Sequence, residues 1–498
     1  MTNLKYTPEE PIAAIATALA PSALGIVRCS GKNCIELFSK IFSRPKALLK
    51  AAGNTIVYGW IQKAENGKLK TESFESGTNV NESCESDTDT LSTFHFPLST
   101  RIDEVLVSVF RAPKSFTGED MIEISCHGGL HVVQSVFNLL LECGFRRAER
   151  GEFTFRAYIN GKADLTKAEA VREIIESKTD ESQSRAAHRL AGNLYQAIDG
   201  VKKLIVDTLA AIEVEIEYPE DEETIADSFD SERLREAEKT LAELAASWKS
   251  EKIYQDGARV VLCGRTNAGK SSLFNALLKE DRSIVSDIEG TTRDFIESWI
   301  DFSGIPARLF DTAGLRETSD LIESVGVERT KDLSEDADLI LYLVDSSLGL
   351  NDEDRAFIAA HVSEGAGKAP LILVWNKCDV AGEKDSFGDL PWKWLPQVKI
   401  AAKKGTGLGQ LSTKIKTLLS SAESSERGAT GLGSERQKLA VEKALDCVRH
   451  ALSLSDDYAL DAVVQDLEDS LDFLGEVTGD VTPDDVLSSI FANFCVGK

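Results

Sequence analysis

Hydrophobic and polar positions change their period several times along the chain. Residues 12–18 and 23–28 are short apolar runs joined by a Pro-Ser turn and read as two strands. Residues 33–41 look helical, and residues 55–61 and 104–110, the second alternating in polarity, read as strands. Alternation continues through Met121, Glu123 and Ser125 on one face and Ile122 and Ile124 on the other. Helical spacing then takes over in residues 168–178 and 183–199. It is clearest in Val201, Leu204, Ile205, Leu209, Ile212 and Ile216, one apolar stripe ended by Pro219, and it resumes in residues 231–249. Residues 258–263 are short, apolar and β-branched, the pattern of a strand buried on both faces, and residues 339–344 and 371–375 repeat it. The helical style returns in residues 436–452 and 459–474, where Gly475 reads as a stop. Thr482-Pro483 opens a last helix, with Thr482 as its N-cap. Two helical blocks around one α/β unit predict a helical domain split by an insertion.

Composition narrows this picture without changing it. A chain of 498 residues is too long for one core, and 42% hydrophobic content is that of a soluble globular protein. No run approaches the roughly 20 apolar residues of a membrane span, and the first ten residues carry no secretory or transit pattern. Nine scattered cysteines without a Cys-x-x-Cys pair fit reduced thiols, so a cytoplasmic location is expected. A net charge of −26 argues against broad non-specific nucleic-acid binding, though a local basic patch or a basic partner is compatible with it. Residues 64–93, rich in Ser, Thr, Glu, Asp and Gly, read as a solvated, disordered-like insertion.

The chemistry concentrates after the strand at 258–263. Gly264-Arg265-Thr266-Asn267-Ala268-Gly269-Lys270-Ser271-Ser272 satisfies G-x-x-x-x-G-K-[ST] between a strand and a helical segment. Such a loop turns backbone N–H groups onto phosphates; Lys270 adds a cation and the Ser271 hydroxyl can ligate Mg²⁺. Gly290-Thr291-Thr292-Arg293-Asp294 offers a second hydroxyl for the metal, and residues 298–302 and 306–310 read as a hairpin. Asp311-Thr312-Ala313-Gly314 ends its second strand, placing Asp311 to meet the metal and the Gly314 N–H the γ-phosphate. Asn376-Lys377-Cys378-Asp379 follows a buried strand, and a buried Asp379 would accept from both donors on the edge of guanine, which adenine lacks. In Ala401-Ala402-Lys403 a backbone amide can meet the guanine oxygen. Five elements in this order identify GTP as the nucleotide. Leu315 stands where many GTPases carry a water-orienting glutamine, so another group must do that work; Arg293 and Arg316 are arginine-finger candidates that read more simply as surface charges. His127 and His131, four apart but beside Gly128-Gly129, read as turn and packing rather than as a metal pair, and Arg28 reads as a surface residue.

These motifs, with Phe116-Thr117-Gly118-Glu119-Asp120, His127-Gly128-Gly129, Gly151-Glu152-Phe153-Thr154 and the Phe494-Cys495-Val496-Gly497-Lys498 end, resemble the MnmE (TrmE) family of tRNA-modification GTPases. The likeness covers nearly the whole chain apart from residues 64–93. It implies a multidomain α/β and α protein: an N-terminal α+β folate-binding-like, dimerisation domain (1–157), a helical domain in two parts (158–252 and 421–498), and an inserted P-loop GTPase domain with a mostly parallel sheet (253–420). By motif position, Arg28, Glu123, Lys162 and Lys498 correspond to the folate site, which takes 5-formyl- or methylene-tetrahydrofolate. The loop Ser286-Asp287-Ile288-Glu289-Gly290-Thr291-Thr292 corresponds to nucleotide-binding positions. Mg²⁺ falls to Ser271 and Thr292, and K⁺ to Asn267, Ser286, Thr291 and the backbone carbonyl of Ile288. Glu323 falls at the carboxylate that orients water, so Glu323 and Lys270 carry hydrolysis; Cys495 matches a terminal cysteine with a possible catalytic part. Ser286 for Thr, Thr266 for Pro and Ala401 for Ser depart from the usual pattern. The resemblance further implies a homodimer acting with an MnmG-like partner that carries FAD, in a heterotetramer, on tRNA. Together they add an aminomethyl-type, commonly carboxymethylaminomethyl, group to C5 of the wobble uridine. Two rivals are a ribosome-assembly or other regulatory GTPase without modification chemistry, disfavoured by an acidic helical tail, and a folate aminomethyltransferase with a regulatory G domain.

Overall fold

A computed structural model describes residues 10–63, 101–217, 231–279, 296–311, 336–363, 369–380, 392–420, 430–454 and 460–497. It divides into two compact units, Met1–Ala168 with Thr482–Lys498, and Glu169–Val481.

The first unit is built on a sheet of β1 (Ile12–Ile15), β2 (Leu24–Ser30), β3 (Thr55–Gln62), β4 (Arg101–Phe110), β5 (Met121–His127) and β6 (Arg146–Arg147), ordered β3-β4-β5-β2-β1-β6. All neighbours are antiparallel except β1 and β6. Val27, Cys29, Val105, Val107, Val109, Ile122 and Ile124 point to one face and are buried with Phe38, Val136, Phe137 and Leu140 from the helices Cys34–Ser39 and Leu130–Glu142. The period-2 pattern thus decides the core face, while Glu123 and Arg28 stand opposite one another on the other face.

The Phe-Thr-Gly-Glu-Asp and Gly-Glu-Phe-Thr motifs meet around Arg156, whose side chain is fully buried. Arg156 Nη1 donates to Glu119 at 2.9 Å and Nη2 to Glu152 at 3.0 Å and to the Glu10 carbonyl at 2.9 Å. Glu119 also accepts from Ser30 at 2.8 Å. A guanidinium held by two carboxylates recovers by hydrogen bonding what burial takes from its hydration. These motifs are therefore joints of the first unit.

The final helix, Asp484–Ala492, packs here as well. Phe491 lies edge-on to Phe155 with ring centroids 5.2 Å apart, and Leu165, Ala168, Leu487 and Phe494 share the cluster. Its contacts thus group it with the first unit, although its place in the sequence assigns it to the second helical part. Pro483, not Thr482, is its N-cap, and no side chain caps it.

In the second unit, helices from both sides of the nucleotide-binding segment share one core. Leu194, Ile198, Ile205 and Ile212 pack with Leu234 and Leu241 before it and with Val441, Leu445, Leu467 and Leu474 after it. Residues 183–199 are not one helix: Asp180–Leu190 and Asn193–Glu217 are separated at Gly192, which takes φ +98°. Gly475 does not stop its helix, which runs Leu460–Thr478; Val481 comes close there, 3.2 Å from where a Cβ would stand. No helix among the described residues is long and apolar enough to cross a membrane.

Buried charges join the helices to the chain entering the inserted segment. Arg189 donates to Glu173 at 2.7 Å and to Glu251 at 2.8 Å, and Arg185 also pairs with Glu251. Burial outweighs Arg189 and pushes the Glu173 carboxyl up from 4.5 to about 7. The folded state then holds more protons than the unfolded one between these values, so this group's contribution makes stability fall as pH rises through that window. Denaturation midpoints between about pH 5 and pH 7.5 should therefore drop less in Glu173→Gln than in the wild type. An equal drop in both would remove Glu173 from the account.

Candidate nucleotide-binding site

The second sheet contains β7 (Ala258–Gly264), β8 (Ile296–Phe302), β9 (Ile305–Asp311), β10 (Leu339–Asp345), β11 (Leu371–Asn376) and β12 (Gln397–Lys399), ordered β12-β11-β10-β7-β9-β8. Only β8 is antiparallel to its neighbour. The chain continues from β7 to one side through β8 and β9 and returns to its other side with β10, which opens a crevice at the carboxyl ends. Gly264, Asp311, Asp345 and Asn376 all stand at those ends.

The loop after β7 has a shape that side chains would fill. Gly264 takes φ +128°, and a Cβ there would lie 2.3 Å from the Leu343 carbonyl. Gly269 caps the helix Lys270–Leu277 at φ +99°, and a Cβ there would lie 2.1 Å from Asn376 Nδ2. Asn267 is also left-handed, at φ 64°. Left-handed residues on either side of Ala268, just before a helix N-terminus, suit a nest of N–H groups for phosphate. Lys270 Nζ donates to the carbonyls of Gly264 at 2.6 Å and Arg265 at 2.9 Å, which keeps the cation against the loop. Ser271 is exposed on the first turn and Ser272 is half-buried beside it.

Asn376, nearly fully buried, spans two loops. Its Nδ2 donates to the Ala268 carbonyl at 2.9 Å, and its Oδ1 accepts from the Ala402 amide at 3.1 Å. Lys377, next in line, donates to the Asn267 carbonyl at 2.8 Å. Two consecutive residues of the guanine motif therefore hold two consecutive carbonyls of the phosphate loop. Ala401 and Ala402 are buried and their amides are committed within the protein, Ala401 to Thr406, so of that trio the exposed Lys403 retains the amide outside these bonds. Asp379 is not buried as expected: its carboxylate is partly exposed and pairs with Lys404 at 3.1 Å. Asp311 is buried at the end of β9, in register with Leu262 of β7.

Arg28, Glu123 and Lys162, the described positions expected to bind folate, lie in the first unit. Arg28 is no free surface charge. Its Nε and Nη2 both donate to Glu123 Oε1, at 2.9 and 2.7 Å, and its Nη1 to the Gly497 carbonyl at 3.1 Å. Phe116 and Phe153 rings flank the guanidinium, each 5.7 Å from it. Lys162 donates to the Pro113 carbonyl at 3.0 Å, and Cys495 is exposed. The His127 ring pairs with Asp103 at 2.7 Å, and no metal-binding group of three ligands occurs among the described residues.

Comparison with known proteins agrees over the full length. A family described as "MnmE helical domain" matches residues 165–495, and one described as "GTP-binding protein TrmE N-terminus" matches residues 11–162. A tRNA modification GTPase MnmE of Treponema denticola is 48% identical over 99% of both chains. One of Borrelia turicatae is 39% identical over 100% of both. The chain belongs to the MnmE family of tRNA modification GTPases. Solved structures similar to parts of it include Aquifex aeolicus Era bound to GDP.AlF4-, 28% identical over 38% of this chain and 66% of that one, with TM-score 0.27. Another is the G domain of the T. maritima FeoB iron transporter, 27% identical over 33% and 99%, with TM-score 0.25. Membership rests on the full-length relatives.

As a member of the MnmE family the chain is a GTPase that acts in tRNA modification. Ser286, Asp287, Ile288, Glu289, Gly290, Thr291, Thr292, Thr312, Ala313, Gly314, Glu323 and Lys498 lie outside the described residues, as do Arg293, Leu315 and Arg316. Sequence reading missed Asp345, which ends an apolar strand as Asp311 does; that shared position was the available signal. It also missed Asp354, buried and bonded by Tyr342 at 2.9 Å, with Arg265 of the phosphate loop 3.7 Å away.

Gly269→Ala should add both a left-handed strain and a collision with Asn376. Costs of about 1–3 kcal/mol translate to guanine-nucleotide affinity reduced on the order of tenfold to a hundredfold. Titration with a fluorescent GDP analogue measures this, and unchanged affinity would refute the close packing.

Proposed function

We propose that the chain hydrolyses GTP to drive, with an MnmG-like FAD flavoprotein, addition of an aminomethyl-type group, commonly carboxymethylaminomethyl, to C5 of the wobble uridine of certain tRNAs. The observation that carries this reading is the joint between Asn376-Lys377 and the Asn267-Ala268 carbonyls in a chain that matches MnmE relatives end to end. The protein works in the cytoplasm as a homodimer, in a heterotetramer with its partner.

The loop's nest and Lys270 fit a nucleotide polyphosphate, and Asp379 accepts from the guanine edge. Ser271 with Thr292 would hold Mg²⁺; Asn267 with Ser286, Thr291 and the Ile288 carbonyl would hold K⁺. Cations there offset phosphate charge during hydrolysis. Glu323 orients water in place of the glutamine absent at Leu315. In the first unit the Arg28–Glu123 pair, flanked by Phe116 and Phe153, suits a flat heterocycle with donors and acceptors. That pair is neutral as a whole, so anion recognition on a 5-formyl- or methylene-tetrahydrofolate falls to Lys162 and Lys498. The Arg28 bond to Gly497 supports a role for the tail at this site, Cys495 included.

Nucleoside mass spectrometry of tRNA from a strain lacking the gene should show wobble uridines without the modification, restored by the wild type and not by Lys270→Ala. Unchanged uridines in the deletion would overturn the assignment. Restoration by Lys270→Ala would break the coupling to GTP.

A further inference from the structure

Asp345, the last residue of β10, lies across the strand pair from Asn376 of β11. Its Oδ2 accepts from Lys377 Nζ at 2.6 Å, and its Oδ1 accepts from the Ser347 amide at 2.9 Å and the Ser347 hydroxyl at 2.6 Å. Both oxygens are therefore fixed, and the carboxylate is largely buried at 11% side-chain exposure. Burial alone would raise the Asp345 carboxyl, but the bonds from Lys377 and Ser347 outweigh it and hold the group below its usual range, so it is ionised at neutral pH. Lys377 needs such an anchor. It sits at φ 62°, a left-handed conformation uncommon outside glycine, and its long side chain loses much rotamer freedom when fixed. From there the same ammonium reaches the Asn267 carbonyl of the phosphate loop at 2.8 Å.

We propose that Asp345 is a positioning residue for guanine-nucleotide binding: it fixes the Lys377 ammonium, and through it the distance between the guanine loop and the phosphate loop. Asn376 makes the neighbouring joint at Ala268, so with Asp345 present two adjacent carbonyls are held and the loop cannot pivot about one of them. Without Asp345, Lys377 retains its charge but not its direction, and the Asn267 joint loosens. The nucleotide then dissociates faster, while the groups that meet the phosphates are unchanged.

A double-mutant cycle tests this, with Kd for GDP and steady-state GTP hydrolysis as readouts. Asp345→Asn should raise Kd and KM about tenfold and leave kcat at saturating GTP near wild type. Lys377→Ala should cost at least as much, and adding Asp345→Asn to it should change Kd by less than about twofold. Ser347→Ala, which removes only a partner of Oδ1, should leave Kd unaltered. Unchanged Kd in Asp345→Asn, or losses that multiply in the double variant, would overturn the proposal. So would a Ser347→Ala loss equal to that of Asp345→Asn, which would make Asp345 a strand-end cap. If Asp345→Asn does not fold, Asp345→Glu, which moves the charge by one methylene, takes its place in the same cycle with the same expectations.

Discussion

The buried amide of Asn376 joins three segments far apart in sequence: the loop after β7, the end of β11 and the turn after β12. An amide has a donor side and an acceptor side, and here each meets a backbone group of a different loop. Buried polar groups are costly unless satisfied, so this arrangement is stable only when all three segments are in register. The glycine at position 269 follows from it, because the space for a Cβ is taken by Asn376 itself. Lys377 extends the same joint by one residue, to the Asn267 carbonyl, and is itself held by Asp345 across the strand pair. A crevice at a topological switch point thus becomes a site of fixed width.

Much of that site was legible because its parts are local. A phosphate loop is a run of backbone conformations, and the glycines, lysine and serine it requires are adjacent in the chain. Strands buried on both faces, such as Leu339–Asp345 and Leu371–Asn376, announce themselves as continuous apolar runs. What was not legible is pairing across distance. Arg28 looked like a surface residue because Glu123 and Gly497 are brought to it only by the sheet and the returning tail. Asp379 was expected in a buried setting, yet Lys404 stands beside it at the surface. Gly475 resembled a helix stop, but the helix continues through it where Val481 packs closely.

The motifs of the first unit divide by physical role. Glu119 and Glu152 hold Arg156 in the interior and Phe155 receives Phe491, so these residues maintain the fold. Phe116 and Phe153, from the same two motifs, flank Arg28. Short motifs in this chain thus set a residue that holds the interior beside one that flanks Arg28. The acidic character of the chain leaves recognition of the tRNA backbone to local patches or to a partner, since phosphate contacts need cations.

The central claim, that this crevice reads guanine through Asp379, is tested most directly by exchanging the base and the residue together. A carboxylate accepts from the two donors of guanine, whereas an asparagine offers one acceptor and one donor, the complement of xanthine. Asp379→Asn should lower kcat/KM for GTP by roughly 10⁴ and confer turnover of XTP at a rate near that of the wild type with GTP. A variant that still prefers GTP to XTP would contradict the account.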